Sequence, residues 1–324
     1  MKNFSSLSLL NFSMKLPIYL AAFCCPLVSP VGLSQEKSVE TTDQITFVAY
    51  NLKNYLGMDR KVDGEVKKDA GKPEREIKPL IEGLLEMQPD ILGVSEIGDD
   101  PHLVDMQARL KAGGLDLPHV FLLHAQSGWE RNLAILSKFP IVENHSRDDL
   151  KYTIGDQLLP FQRGIIDCTV MPNPNYRLRL VGLHLKSKRE VDGVDQGLMR
   201  LNEAKLAREH IDKILAAEPG ANLLVFGDLN DTQDANPIRE IRGRFGRPDY
   251  LTAIGLKDQY GFKWTHYWSW ADIYARIDFA MLSKGISPEV SREESHIFHW
   301  EEWDTASDHR PLVLKIIPVD KATK

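Results

Sequence analysis

The sequence predicts an α/β or α+β sandwich, a fold in which strands and helices mix. Short apolar runs rich in Val, Ile and Leu recur along the chain, which is typical of strands buried on at least one face. Longer stretches between some of these runs carry apolar residues at helical spacing, which indicates amphipathic helices. Hydrophobic residues make up 43% of the 324-residue chain and charged residues 27%, so the chain has enough apolar material for a large core.

The predicted strands share a high content of β-branched and other apolar side chains. In chain order they are residues 45–50, 91–95, 132–136, 164–170, 178–185, 222–227, 277–282 and 311–317. Two helices are predicted at residues 74–87 and 197–216, where apolar residues recur every three or four positions. The charged loop 61–78 is interpreted as a solvated surface segment without chemistry.

One domain is expected over residues 45–318, because no internal repeat and no Gly/Ser-rich linker interrupts them. Residues 35–44 are polar and are interpreted as a flexible lead-in, and residues 319–324 as a tail. Cys168 is the sole cysteine after residue 34, so no internal disulfide is expected.

Residues 1–34 are interpreted as a secretory signal peptide. A charge-free apolar run, residues 16–31, follows Lys15 and is too short and too interrupted by Pro for a comfortable membrane span. Cleavage near Gln35 would leave an exported protein, periplasmic or extracellular, with no transmembrane span in the mature chain. A retained N-terminal anchor and a lipid attached at Cys24 are the alternatives.

The charge balance limits the partners of the mature chain. Residues 1–34 carry two Lys and no acid, so the remainder has 38 basic and 46 acidic residues. This balance opposes avid nonspecific binding to DNA or RNA, which depends on cationic contacts to phosphates. It does not exclude a small basic cleft.

Polar side chains that could act on a ligand lie at one end of each predicted strand. Four strands end in or are followed by such residues: Asn51, Glu96, His184, and Asp228 with Asn230. Four others begin with or are preceded by them: Glu130, Arg163, Asp278, and Asp308 with His309. If the second set of strands runs antiparallel to the first, all of these side chains meet at one rim. Such a concentration of charge is costly unless a cation or a phosphate group lies among them.

The residue types at this rim indicate a hard cation and phosphate-ester chemistry. Mg²⁺ prefers oxygen ligands from one or two carboxylates, and Glu96 offers one, with Asn51 and Asp308 nearby. No group of cysteine or histidine residues has zinc spacing, so a structural zinc site is not expected. Hydrolysis of a phosphate ester needs a cation for the developing charge, a group that activates water, and donors to the phosphate oxygens. All of these types are present.

Seven short motifs follow one another along the chain: VAYNL (48–52), GVSEI (93–97), ERNLAILSKFPI (130–141), GLHLKS (182–187), GDLND (227–231), RIDFAMLS (276–283) and SDHRPL (307–312). In this order they resemble the motifs of the endonuclease/exonuclease/phosphatase superfamily. Members of this superfamily include pancreatic deoxyribonuclease, abasic-site endonucleases, sphingomyelinases and inositol polyphosphate phosphatases. The resemblance spans residues 45–317. It implies a four-layer α/β/β/α sandwich of two packed mixed sheets, with a divalent-metal-dependent phosphoesterase site at one rim.

The resemblance implies a role for each side chain at the rim. Glu96 would ligate the metal, which would be Mg²⁺ with Mn²⁺ or Ca²⁺ as substitutes. Asn51 and Asp308 would ligate this metal or orient its ligands. His309 resembles the catalytic histidine, and Asp278 the carboxylate that fixes its tautomer and favours its protonated form.

Further positions resemble residues that act on the phosphate. Asp228 and Asn230 match a pair in which the carboxylate orients or deprotonates the attacking water and the amide donates to a phosphate oxygen. Whether this carboxylate or the catalytic histidine is the general base stays open. His184 resembles a second histidine that contacts the phosphate or leaving group, Glu130 the partner of that histidine, and Arg163 a phosphate-contacting arginine.

Two features depart from the family pattern. Lys53 stands where the family often has a second carboxylate, so one metal or two stays open. An aromatic segment that contains Trp264, Trp268 and Trp270 precedes Asp278. A base-stacking or lipid-facing platform and simple core packing are equally good interpretations of this segment.

The sequence therefore predicts a divalent-metal-dependent hydrolase of phosphate esters that uses in-line attack by an activated water. Its substrate would be a nucleic acid, a nucleotide or a phospholipid, and no stable protein partner is expected. A phospholipid or inositol-phosphate phosphoesterase is one alternative to a nuclease. The other alternative is a catalytically silent secreted binding module on the same fold, which degraded motifs would favour; here the central motifs are intact.

Overall fold

The computed structural model describes residues 43–62, 64–125, 130–190 and 192–320. Its elements, in chain order, are β1 (Ile45–Tyr55), β2 (Met58–Val62), β3 (Glu65–Ala70), α1 (Glu74–Met87), β4 (Ile91–Ile97), α2 (Asp100–Ala112), β5 (His119–Leu123), β6 (Asn132–Ser137), β7 (Ile141–Asn144), β8 (Lys151–Ile154), β9 (Gln157–Pro160), β10 (Ile165–Asn173), β11 (Tyr176–His184), α3 (Gln196–Ala217), β12 (Leu223–Asp228), α4 (Asn236–Arg242), β13 (Thr252–Ala253), β14 (His266–Trp268), β15 (Ile273–Ala275), β16 (Asp278–Leu282), β17 (Val290–Ile297), α5 (Trp303–Ala306) and β18 (Leu312–Ile316). The signal peptide predicted at residues 1–34 falls outside the described residues, as do most of the lead-in and of the tail. Within the described part of the chain, no helix has the length and apolarity of a membrane span.

Two six-stranded sheets form the centre of the fold. The first has the strand order β17-β18-β1-β4-β6-β5 and the second β13-β16-β12-β11-β10-β7. Both sheets are mixed. In the first, β4 is parallel to β1 and antiparallel to β6; in the second, β12 is parallel to β11 and antiparallel to β16.

Alternation of side chains along the strands builds the layers. In β1, Phe47 and Ala49 belong to the core between the sheets, whereas Val48 and Tyr50 pack with residues of α1 and α2. In the second sheet, the outward-facing residues pack against α3 and α4 in the same way. The four-layer α/β/β/α sandwich that the motifs imply is therefore confirmed.

Phe226, on the inner face of β12, interlocks the two sheets. Its ring packs edge-on against Phe47 of the first sheet, with 4.9 Å between ring centroids. A Cβ atom at Gly93 on β4 would lie 2.3 Å from the Phe226 ring, so only glycine allows this approach. Because Phe226 is two residues before Asp228 and Gly93 is three before Glu96, the contact holds the carboxyl ends of β12 and β4 close together.

The strands run in the directions that were predicted to bring the polar side chains to one rim. The first set of polar residues lies at or near the carboxyl ends of β1, β4, β11 and β12. The strands of the second set, β18, β6, β10 and β16, each run antiparallel to a neighbour from the first set. The carboxyl ends of the first set and the amino ends of the second therefore lie at the same edge of each sheet.

The charged segment 61–78 is only partly the solvated loop expected from its composition. The residues of β3 are almost all exposed. The side chain of Lys72, however, is fully buried just before α1 begins at Glu74. This burial distinguishes Lys72 from the exposed lysines around it, such as Lys67 and Lys78.

Candidate active site

Asp228 lies at the centre of a buried polar cluster at the shared edge of the sheets. It has the same orientation on β12 as Phe226, so its side chain faces the space between the sheets. Asn51, from the first sheet, donates from Nδ2 to Oδ2 of Asp228 at 3.1 Å. Nε2 of His184 lies 3.5 Å and Nε2 of His309 lies 3.7 Å from the same oxygen. Residues from both sheets therefore form one buried cluster.

Asp278 is the register partner of Asp228 on the adjacent antiparallel strand β16. Its Oδ2 lies 2.8 Å from Nδ1 of His309, and its backbone N donates to Oγ1 of Thr265. Burial alone would lower the pKa of His309, but the charges of Asp278 and Asp228 outweigh burial and raise the pKa to about 10. His309 is therefore a cation at neutral pH, with Nδ1 donating to Asp278 and Nε2 facing Asp228.

Burial raises the pKa of Asp228. The positive charge of His309 opposes this shift, and the neighbouring carboxylates of Asp278 and Glu96 reinforce it. Asn230 donates to the Asp228 carboxylate from its backbone N at 2.9 Å and from Nδ2 at 3.3 Å. An Asp with a raised pKa accepts a proton more readily than an ordinary carboxylate, so Asp228 has the property that a general base needs.

His184 is buried at the end of β11, where its Nε2 lies between two carboxylates. It is 3.5 Å from Oδ2 of Asp228 and 3.9 Å from Oε1 of Glu96. Burial lowers the pKa of His184 well below its ordinary value, and the nearby charge of Arg163 lowers it further, so the imidazole is neutral. Arg163 is itself buried next to β11, with Nη1 3.4 Å from the carbonyl oxygen of Leu185.

Glu130 does not hydrogen bond to His184, contrary to the pairing implied by the motifs. Its side chain is exposed and lines a pocket of about 330 Å³ that also contains His102 of α2. Glu130 precedes β6, which begins at Asn132, and both residues line this pocket. Nδ1 of His184 has no hydrogen-bond partner among the described residues.

Glu96 reaches the cluster because β4 is irregular at its end. Val94 faces the helix layer, and strict alternation would point Glu96 the same way. Instead, the register with β6 shifts between Ser95 and Ile97, and Glu96 has a left-handed backbone with φ of 61°. A bulge of this kind re-aims a side chain, and the left-handed residue costs about 1–3 kcal/mol.

The neighbouring strand β1 is irregular at the same level. Its register with β4 shifts between Asn51 and Tyr55, and Lys53 and Asn54 have φ values of 49° and 59°. The backbone N of Asn54 donates to Oε2 of Glu96 at 2.9 Å, and that of Lys53 donates to Oδ1 of Asn51 at 3.0 Å. The turn therefore orients Oδ1 of Asn51 and Oε2 of Glu96, two residues that are predicted to act at the metal.

Two groups of side chains at this edge could hold a metal ion. Ligand atoms of Asp228, Asp278 and His309 all lie within 4.8 Å of one another. Nδ1 of His309, however, already pairs with Asp278 at 2.8 Å, and the charges of Asp278 and Asp228 raise the pKa of the ring, which opposes the neutral form that a metal needs. The oxygen atoms of Glu96, Asn51 and Asp228 are a better donor set for a hard divalent cation.

Asp308 lies outside the cluster, although the motifs place it near the metal. Its side chain is 38% exposed, and its Oδ2 lies 3.9 Å from Nε2 of His266. His266, to which the sequence assigns no role, packs against the ring of His309 with 4.6 Å between centroids. The two histidines also form an isolated β-bridge. A contact between residues so distant in sequence leaves no local signal that could have identified His266.

The aromatic segment divides into a packed base and an exposed tip. Trp264 packs edge-on against Trp303, and the guanidinium of Arg310 lies 3.3 Å from the centre of its ring. Trp268 is 53% exposed and Trp270 is 93% exposed. Trp264 is therefore half-buried and packed against its neighbours, whereas Trp268 and Trp270 are exposed at the tip.

The family model described as the Endonuclease/Exonuclease/phosphatase family matches residues 50–309, which is most of the chain. The chain belongs to this family. All of the predicted site residues, from Asn51 to His309, fall within the matched range. A comparison of this family member with curated protein sequences finds no match.

Solved structures share the fold at low sequence identity. Truncated TDP2 from Caenorhabditis elegans has 15% identity and a TM-score of 0.56, over 85% of this chain and 98% of that one. The human Nocturnin catalytic domain with bound sulfate anion has 17% identity and a TM-score of 0.57, over 84% and 94%. Beta toxin from Staphylococcus aureus has 14% identity and a TM-score of 0.55, over 83% and 99%. These likenesses support the fold of the family member.

Proposed function

We propose that this family member is a divalent-metal-dependent phosphodiesterase whose substrate is a nucleic acid, a nucleotide or a phospholipid. The buried cluster of Asp228, His309 and Asp278 is the observation that carries the proposal. Three ionisable groups so deeply buried are costly for stability. A histidine held in its charged form beside a carboxyl group with a raised pKa suits this cluster to charge stabilisation and proton transfer at a phosphate group.

Asp228 is the proposed general base, because burial raises the pKa of its carboxyl group. It takes a proton from a water whose oxygen attacks phosphorus in line with the ester bond. The P–O ester bond then breaks, and the leaving oxygen takes up a proton from solvent. His309, held in its charged form by Asp278, donates from Nε2 to a phosphate oxygen that gains charge in the transition state. No covalent enzyme intermediate is expected.

Three other side chains are proposed donors to the phosphate oxygens. His184 is neutral because burial lowers its pKa, so it can donate one proton without adding charge. The amide of Asn230 lies beside the carboxylate of Asp228. Arg163 adds a buried positive charge near these groups.

Glu96 and Asn51 are the proposed ligands of the divalent cation. Mg²⁺ suits these oxygen donors, and Mn²⁺ or Ca²⁺ would substitute. The bound cation supplies positive charge to the transition state and lowers the pKa of bound water. Asp308 is not included, because its carboxylate faces His266.

Hydrolysis of bis(p-nitrophenyl) phosphate tests the proposal. Turnover is expected with Mg²⁺ or Mn²⁺, is expected to stop in EDTA, and should return with excess metal. A flat signal with every metal, from protein shown to be folded by circular dichroism, would instead favour a binding module. Plasmid DNA, RNA, sphingomyelin and phosphomonoesters, compared at equal phosphorus concentration, then identify the substrate class.

Export is a separate part of the proposal and rests on the sequence of residues 1–34. Expression of the full chain in a bacterial host should yield a periplasmic or extracellular form that begins near Gln35. The mass of the intact protein recovered from each fraction tests this. Recovery of the whole chain from the cytoplasm alone would contradict export.

A further inference from the structure

One peptide group connects a buried cation to the carboxylate of Glu96. Nζ of Lys72 donates to the carbonyl oxygen of Lys53 at 3.0 Å. The N–H of the same peptide group belongs to Asn54, and it donates to Oε2 of Glu96 at 2.9 Å. Because a trans peptide is rigid and its C=O and N–H point in opposite directions, the position of the Lys72 ammonium fixes the direction of the N–H.

Lys72 is buried at a place where an ammonium group is costly. Its side chain has no exposed surface, and burial lowers its pKa to about 8. Its described partners are the Lys53 carbonyl oxygen and the carboxylate of Glu76, 3.4 Å away. A buried charge with so few partners is expected to serve a specific contact rather than to add stability.

Arg60 holds the following peptide group of the same turn. Its Nη2 donates to the carbonyl oxygens of Asn54 at 2.6 Å and Leu56 at 3.1 Å. Both carbonyl groups of the left-handed Lys53–Asn54 turn therefore face a cation. A cationic donor at the carbonyl oxygen polarises a peptide group and strengthens the hydrogen bond that its N–H donates.

We propose that Lys72 is a positioning residue of the metal site, which acts on Glu96 through the Lys53–Asn54 peptide group and increases the affinity for a divalent cation. The inference rests on the proposed function, because it takes Glu96 as a metal ligand. Among the described residues, no other side chain donates to the Lys53 carbonyl oxygen. Loss of a contact that orients a ligand weakens metal binding by about 10–100-fold in metalloproteins.

Direct Mn²⁺ binding, measured by electron paramagnetic resonance without substrate, tests the proposal on the full chain. Lys72→Met is expected to weaken Mn²⁺ binding by at least about tenfold. Lys78→Met is the matched control, because exposed Lys78 forms an i,i+4 ion pair with Glu82 as Lys72 does with Glu76. The control should change binding by less than about twofold. Lys72→Arg, which keeps the charge and a donor, should recover most of the loss.

Glu76→Gln separates positioning from a general effect of the ion pair. This variant loses the charge partner but keeps the bond from Lys72 to the Lys53 carbonyl, so its Mn²⁺ affinity should fall by less than about threefold. Equal losses in Glu76→Gln and Lys72→Met, or unchanged binding in folded Lys72→Met, overturn the proposal. If Lys72→Met does not fold, Lys72→Gln replaces it under the same criteria. Unchanged Mn²⁺ binding in Glu96→Gln would instead signal failure of the proposed function.

Discussion

Asp278 and Asp228 are register partners on adjacent strands, and both carboxylates face the imidazole of His309. Nδ1 of this ring is 2.8 Å from Asp278, whereas Nε2 is 3.7 Å from Asp228. Asp278 is therefore hydrogen bonded to the ring, and Asp228 is not. The different distances support different proposed tasks for two chemically identical side chains: Asp278 would fix the histidine, and Asp228 would take a proton from water.

Asp278→Asn tests the first of these tasks. The amide cannot stabilise the imidazolium, so the pKa of His309 should fall and kcat should drop by about 10²–10⁴-fold. Nuclear magnetic resonance titration of the His309 ring and kcat with a diester substrate provide the two measurements. Asp272→Asn, on the exposed aromatic tip, is the control and should change neither quantity. A His309 pKa that stays raised in Asp278→Asn would contradict the assignment.

Asp228→Asn and His309→Gln test the proposed proton transfer from water to Asp228 and the proposed charge stabilisation by His309. Each should lower kcat by at least about 10³-fold, or about 4 kcal/mol, and the double variant should be little slower than the slower single variant. Both variants should keep the circular dichroism spectrum of the parent. Turnover close to that of the parent by either folded variant would reject the proposed mechanism.

Most positions of the candidate site residues could be predicted from strand alternation and strand direction. Asn51, His184 and Asp228 each continue the inward-facing pattern of a strand, so a pattern of period two places them between the sheets. Alternation does not fix the direction of Glu130, because this residue precedes β6. The neighbouring Arg131 has its Nε 3.8 Å from Oε2 of Glu96.

Local backbone irregularity and long-range contacts could not be predicted. Strict alternation would place Glu96 on the helix-facing side of β4, and only the bulge brings it to the cluster. The packing of His266, at the start of β14, against His309 depends on two segments that are distant in sequence meeting in space. Lys72 lies within a run of charged residues, where composition predicts solvent exposure and the peptide contact has no sequence signal.

The burial of Glu203 predicts that this side chain makes a pH-dependent contribution to the free energy of unfolding. It is fully buried on α3, and its two carboxylate oxygens accept from the backbone N of Gln162 at 3.2 Å and of Lys186 at 2.6 Å. Burial raises its pKa to about 7, although the charge of Arg163 opposes the shift. An acid whose pKa is higher in the folded state than in the unfolded state destabilises the fold as it ionises.

The stabilising contribution of Glu203 is therefore complete below its unfolded pKa, near 4.3, and falls by about 3–4 kcal/mol as the pH rises to about 7. Glu203→Gln cannot ionise, so the free energy of unfolding of the parent minus that of the variant should fall by this amount over the window. Urea unfolding of both proteins from about pH 4.5 to about pH 8 measures the difference. A difference that does not depend on pH would show that Glu203 keeps an ordinary pKa.

Trp264 and Trp270 should differ sharply in their contribution to stability. Trp264 packs against Trp303 and under the guanidinium of Arg310, so Trp264→Ala should lower the free energy of unfolding by about 2–3 kcal/mol. Trp270 is 93% exposed, so Trp270→Ala should change it by less than about 0.5 kcal/mol. Urea unfolding at one pH compares the two variants directly. Similar losses would mean that the exposed tip packs in solution, and a platform role for Trp270 would then have to be abandoned.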